Sequence, residues 1–345
     1  MRISAVRHRV PSRVVTNDEV LDLLDRSNPT LSRTKKRCYL AAVRHLFRAC
    51  DANTRHWRDT DQGERAHELI TGAMQDALND AGMVPNDIDL LIYCGVGKGF
   101  VEPANAYFFA KAMGMKETNC FDITDACMSW IRALQTAYLM LKAGSFRRIM
   151  IINGECHYGI HDSWRIRELR ALEHTFPMYT IGEAATATIV EASDVEWQFD
   201  YMSEPEHADL CTIPMPAFRE FSEPSERIGL NGPQTFVSFG RELFNHGARL
   251  TTTLMQRVIH DFQAISWYFP HAPSKTIYKE SFQKIQAPTN KLYLDVFPKF
   301  GNVVSASIPV GLSKAKADGS LARGDSIALI PASAGMVASC VQFTF

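Results

Sequence analysis

Asp122-Ile-Thr-Asp-Ala-Cys127-Met-Ser-Trp130 closes one apolar run and opens a helical pattern that lasts to Gly144. A cysteine at such a loop-to-helix junction sits where unpaired backbone N–H groups point outward. Their positive potential favours thiolate and lowers the pKa of a thiol. The same N–H groups can hold the oxyanion formed when sulfur attacks a thioester. From these residues alone Cys127 is either a nucleophile or a small packing side chain.

Working outward, apolar runs of strand length recur at Ile88–Cys94, Arg148–Asn153, Ala185–Val190, Leu292–Phe297 and Ser326–Ile330. Between them Gly63–Gly82, Ala104–Gly114, Cys127–Gly144 and Gly240–Phe262 carry helical periodicity. Gly82, Gly114 and Gly144 stand where a helix C-cap wants a residue tolerant of positive φ. Strands alternating with helices predict an α/β protein with largely buried sheets. Ser193–Asn231 is richer in charge and proline and reads as a strand plus loops bridging two halves, 1–192 and 193–345.

The 345 residues suffice for a sizeable core, and 37 Lys plus Arg against 38 Asp plus Glu give a net charge of −1. That balance argues against nucleic acid as a partner. Met1–Pro11 is interrupted by Arg2, Arg7 and Arg9, so no secretory leader is expected. The uncharged stretch near the end contains Pro331, Gln342 and Thr344 and reads as two buried strands, with no membrane insertion expected. The eight cysteines show no CxxC or zinc spacing, which predicts reduced thiols in a cytoplasmic compartment. His157, His161 and His174 with Glu155 and Glu173 match no ligand motif, and no metal is expected there. Lys35-Lys36-Arg37 reads as a solvated helix face, with contact to an anionic carrier as the alternative.

Two more constellations bear on Cys127. Trp267-Tyr-Phe-Pro-His271-Ala-Pro-Ser-Lys275 places a histidine at the end of an apolar strand, where sites form in α/β sheets. Phe300-Gly-Asn302-Val-Val-Ser-Ala-Ser-Ile-Pro-Val-Gly-Leu312 places an asparagine, both donor and acceptor, before a buried small-residue helix. Each alone has a structural reading as well.

In this order and at these separations the three segments resemble the thiolase-superfamily condensing enzymes of the β-ketoacyl-acyl-carrier-protein synthase III type. Pro11-Ser-Arg-Val-Val-Thr-Asn17, Thr54-Arg-His56, Gly319…Gly324-Asp325 and Ser333-Ala-Gly335 also resemble that family's signatures. The resemblance implies a layered αβαβα fold of two similar halves, a homodimer, and acyl-carrier-protein or CoA thioesters as substrates with no cofactor. It implies that Cys127 takes an acyl group while His271 and Asn302 stabilise an enolate. Ser333, Ala334 and Gly335 would form an oxyanion loop. Phe108 and Trp130 read as core side chains first and as acyl-pocket wall second, since a few aromatics must line any such pocket. Glu102, before Pro103, resembles the glutamate that branches joining two acyl chains deliver across the dimer as a base. Ile181-Gly-Glu183-Ala-Ala-Thr186 and His271-Ala-Pro-Ser274 depart from the usual runs and point to specialised metabolism. The expected activity is Claisen condensation of two acyl or β-ketoacyl thioesters. Acyl transfer to an alcohol or amine, thioester hydrolysis, and a non-catalytic subunit of a heterodimer are the alternatives.

Overall fold

Alternate residues of the apolar runs face opposite ways, and each face is covered by helices. The computed structural model describes residues 1–156, 164–271 and 274–345. The chain begins with β1 (Arg2–Arg9), β2 (Arg13–Thr16), α1 (Asn17–Arg26), α2 (Arg33–Cys50) and β3 (Thr54–Trp57). Then come α3 (Ala66–Ala81), β4 (Leu90–Cys94), α4 (Asn105–Ala112), β5 (Asn119–Ile123), α5 (Ser129–Lys142) and β6 (Arg148–Glu155). α6 (Leu172–Thr175), β7 (Ala184–Glu191), β8 (Gln198–Ser203), β9 (Cys211–Thr212), β10 (Val237–Ser238) and α7 (Gly240–Val258) follow. The rest is β11 (Trp267–Pro270), α8 (Lys275–Lys284), α9 (Phe297–Phe300), α10 (Ser307–Ala317), β12 (Ser326–Ile330), β13 (Ala332–Ser333) and β14 (Val337–Thr344).

The first sheet has the order β1-β7-β6-β4-β5, with β6, β4 and β5 parallel and β7 antiparallel to both its neighbours. The second has the order β11-β12-β14-β13, with β8 pairing the other edge of β14. Leu90, Ile92, Ile149 and Ile151 of the first sheet meet Phe269, Ile327, Leu329 and Val341 of the second around α5 and α10. Leu91, Tyr93, Met150 and Ile152 point the other way, into α3 and α4. Tyr268, Ala328, Ile330 and Cys340 do the same on the second sheet, against α7 and α8. The result is five layers, helix–sheet–helix–sheet–helix, with α5 and α10 buried in the middle.

The glycines behave as their positions predict: Gly82, Gly114 and Gly144 end helices at φ of 67°, 66° and 71°. Two segments differ from the sequence reading. Arg2–Arg9 is an edge strand whose apolar residues pack inward while Arg7 and Arg9 pair with Asp80 and Asp76 of α3. Leu292–Phe297 is not a strand. Leu292 makes a single bridge to Tyr268, and the chain then turns into α9, because Pro298 sets a helical φ and the residues around it bury themselves as a turn. Among the described residues no helix is long and apolar enough to cross a membrane.

Candidate active site

A cavity of 1020 Å³ opens between the two sheets' ends and the outer helices, and Cys127, His271 and Asn302 all line it. Each arrives on a different element. Cys127 lies two residues before α5, on a turn in which Ala126 adopts φ +44°. Ser129 ties that turn together, accepting from the Asp125 N–H at 2.8 Å and donating to the Ala126 carbonyl at 2.7 Å. A non-glycine residue held in the left-handed region marks a backbone bent to present a side chain.

His271 follows β11 directly and is 7% exposed. Its Nδ1 lies 3.0 Å from the Ser307 hydroxyl, which in turn lies 2.9 Å from the Val304 carbonyl. That carbonyl already accepts the Ser307 backbone N–H. The single hydroxyl proton is therefore free to serve either neutral tautomer. Pointed at Val304, it leaves Nδ1–H as donor and Nε2 as a base; pointed at Nδ1, it leaves Nε2–H as a donor. Burial lowers the His271 pKa to about 4, so the ring is neutral near pH 7. Tyr278 fixes the backbone beside it, donating to the His271 carbonyl at 3.0 Å.

Asn302 is anchored on both sides, its N–H donating to Thr180 at 2.8 Å and its carbonyl accepting from Gly182 at 3.0 Å. The carboxamide oxygen accepts from the Val304 N–H at 3.0 Å, which turns the Nδ2 protons into the role of donor to a substrate. This loop is packed to contact. A Cβ on Gly301, at φ +72°, would lie 2.4 Å from the Thr180 carbonyl, and one on Gly182 would lie 1.9 Å from that of Phe300. The buried Arg55 braces both glycines with its own Cβ, and His56 stacks on Phe300 at 5.5 Å.

The fully buried Glu155, at the end of β6, ties together the segments that follow β4 and precede α10. Its carboxylate accepts from the backbone N–H groups of Val96, Gly97 and Ser305 at 3.2–3.3 Å and from the Ser305 hydroxyl. Val96 and Val304, on either side of this tie, both line the cavity.

The Cys127 thiol departs from the sequence expectation. Burial pushes its pKa well above the usual range, with Cys211 and Glu155 adding to the rise. The Ser333 hydroxyl is the favourable neighbour that opposes them. The resting sulfur is thus a thiol, and its reaction needs a base. The neutral imidazole of His271 faces the same cavity and has a tautomer that can take the proton.

Ser333 and Ala334 line the cavity, whereas Gly335 occupies the turn behind them at φ +77° and is not part of the wall. Trp130 and Phe108 do not line it. Trp130 is 1% exposed within the central core, its indole N–H donating to Thr188 at 3.2 Å, because it lies on the face of α5 turned to the sheet. Phe108 is partly exposed on α4, stacked on Phe100 at 4.2 Å. Glu102 is exposed and lies outside the cavity. Of the histidine group weighed for a metal, His157 and His161 lie outside the described residues, as do Ala272 and Pro273. His174 packs on Phe239 at 5.4 Å, and Glu155 is committed to the tie just described. Sequence reading missed Ser307, Tyr278 and Cys211, and it missed α2, α7 and α8 as walls. Only Ser307 had a visible signal, as a polar residue within a run otherwise fit for burial.

Residues 121–204 match the family model for 3-oxoacyl-[acyl-carrier-protein (ACP)] synthase III, and residues 259–345 match the model for its C-terminal part. The chain is 26% identical over 333 residues to beta-ketoacyl-[acyl-carrier-protein] synthase III of Agrobacterium fabrum, covering 93% of this chain and 91% of that one. It is 25% identical over 335 residues to the protein of the same name from Cereibacter sphaeroides, covering 94% and 92%. Among solved structures, a glutamate-to-alanine variant of OleA from Xanthomonas campestris superposes with a TM-score of 0.80 at 21% identity, over 99% of this chain and 97% of that one. A 3-oxoacyl-(acyl carrier protein) synthase III from Xanthomonas oryzae pv. oryzae gives 0.78 at 20% identity, over 99% and 98%. The fold is that of the thiolase superfamily. Within it, the matched stretches and the curated relatives are similar to the condensing enzymes of the ketosynthase III type.

Proposed function

We propose that this enzyme joins two acyl or β-ketoacyl thioesters, delivered on CoA or an acyl carrier protein, through an acyl-Cys127 intermediate. The observation that carries this reading is the convergence of Cys127, His271 and Asn302 on one apolar cavity of 1020 Å³. That volume is at the upper end of the ~300–1,000 Å³ of small-molecule sites. At roughly 30 Å³ per water- or methylene-sized group it holds about 30 such groups, enough for two long chains.

In the first half-reaction the Cys127 proton passes to His271 Nε2 and the sulfur attacks the thioester carbonyl. The C–S bond to the donor breaks, and the leaving thiolate recovers the proton from Nε2. In the second, a base removes a proton α to the second thioester. The enolate oxygen accepts from Asn302 Nδ2–H and from His271 in its Nε2–H tautomer. The α-carbon attacks the acyl-Cys127 carbonyl, a C–C bond forms, and the Cys127 thiolate departs and is reprotonated.

For the base we propose Glu102 of a second copy of the chain. Phe100, Val101, Tyr107 and Phe108 form an exposed apolar patch around Glu102, with Val101 85% exposed. Such a patch is the mark of a protein interface, and a homodimer would cover it. One solved relative in this fold is OleA with bound lauric acid and lauroyl-CoA, which supports a long-chain reading. The departures at Glu183 and Ser274 support a specialised pathway rather than housekeeping fatty-acid synthesis, in a cytoplasmic setting.

Intact-protein mass spectrometry tests the reading. A panel of acyl thioesters adds an acyl mass to the wild type and none to Cys127→Ala, and a second thioester then releases a chain-joined β-ketoacyl thioester. Release as ester or amide would indicate transfer to an alcohol or amine, release as free acid would indicate hydrolysis, and no adduct with any donor would refute the enzyme reading.

A further inference from the structure

Outside the cavity, three side chains separated in sequence meet on the outer side of α7. Glu204 follows β8, His207 lies three residues on in a short 3₁₀ turn, and His246 projects from α7. One ligand atom from each lies within 4.8 Å of the others. Glu204 Oε2 is 3.1 Å from His246 Nδ1 and 4.0 Å from His207 Nε2, and the two imidazoles stand 3.9 Å apart. All three side chains are 19–31% exposed, open enough for an ion to enter.

We propose that Glu204, His207 and His246 bind a divalent transition metal of the zinc class, with water at the fourth position. Tetrahedral bonds of ~2.0–2.1 Å separate donors by about 3.3 Å. The two carboxylate–imidazole spacings of 3.1 and 4.0 Å bracket that value, and all three donors lie within 4.8 Å of one another. Two imidazoles and one carboxylate favour zinc, cobalt or nickel over magnesium or calcium. Arg249 serves as the outer support. Its guanidinium donates to Glu204 Oε1, leaving Oε2 for the ion, and lies 3.4 Å from His246 Nδ1, a contact that a bound ion would replace. The backbone is anchored too, with the Glu204 N–H donating to Met336 at 2.8 Å.

The location gives the ion a task. Residues 204–212 lead into Cys211 and Thr212, which line the cavity, and α7 lines it with Gly247 and Ala248 from another face. A metal bridging Glu204, His207 and His246 clamps these two walls together from outside. The inference does not depend on the proposed reaction.

Cobalt(II) titration of chelator-treated full-length protein tests it, with zinc competition and thermal unfolding alongside. One equivalent is expected to give visible d–d absorption without a thiolate charge-transfer band. Zinc at about 100-fold over its Kd should raise Tm by roughly 5 °C. His246→Ala and His207→Gln should each weaken binding at least tenfold, while Cys127→Ala titrates like the wild type. His207→Gln keeps the test sound if the helix variant folds poorly. A thiolate band, or affinity unchanged in both histidine variants, would overturn the proposal.

Discussion

Replacing Ser307 by alanine isolates what holds the imidazole ready. In the folded enzyme the hydroxyl sits 3.0 Å from His271 Nδ1, and a ring only 7% exposed finds no bulk water to replace it. During acylation Nε2 takes the Cys127 proton, the ring becomes imidazolium, and the Nδ1–H···Oγ contact becomes charge-assisted. A neutral hydrogen bond contributes ~0.5–1.5 kcal/mol and one to a charged group ~1.5–3, so the difference of about 1.4 kcal/mol is felt in the transition state alone. Ser307→Ala should therefore slow acylation about tenfold, read by quenched-flow mass spectrometry of the acyl-enzyme under single-turnover conditions. Ser307→Thr, which keeps the hydroxyl, should restore most of the rate. An alanine variant that acylates within twofold of wild type, or a threonine variant equally slow, would refute the role given to this hydroxyl.

Because burial holds the Cys127 thiol protonated, alkylation of the free enzyme by iodoacetamide should keep rising through pH 9, and a plateau near pH 7 would show an activated thiolate instead. His8 and His271 both have pKa values lowered by burial to about 4, against ~6.5 unfolded. The unfolded chain thus binds up to two more protons between about pH 6.5 and 4. Stability is full above pH 6.5 and falls through that window by up to roughly 2.7 kcal/mol per pH unit, measurable as urea midpoints at pH 7 and 5; equal midpoints would contradict it. Glu183→Ala removes the carboxylate that pairs with the largely buried Arg58 at 3.1 Å and should cost roughly 3 kcal/mol in denaturant unfolding, and a loss under about 1 kcal/mol would contradict that weight for the pair.

The layers were legible because α5 and the strands beside it obey simple periods, and glycines mark three helix ends in φ as well as in sequence. Arg2–Arg9 was opaque because its arginines reach out to pair with α3, masking a strand whose other face is apolar. Leu292–Phe297 misled for the opposite reason: its residues bury themselves in a turn and not in a sheet. Cys127, His271 and Asn302 were readable from local chemistry and family resemblance. The state of the thiol was not, since desolvation by the cavity is a property of distant walls. Trp130 shows the same limit, because an aromatic beside a nucleophile can face the core as readily as the ligand. Glu204, His207 and His246 are drawn together only by α7 packing alongside β8, and no spacing within the chain announces them.

The two innermost helices carry their reactive neighbours at the same end and are gripped by both sheets. Mutations there disturb folding and chemistry together. The outer coverings, α2, α7, α8 and the irregular span from 204 to 239, touch the substrate tunnel from one side only. Changes in what the cavity accepts can therefore arise by reshaping this rind while the residues around Cys127, His271 and Asn302 stay as inherited.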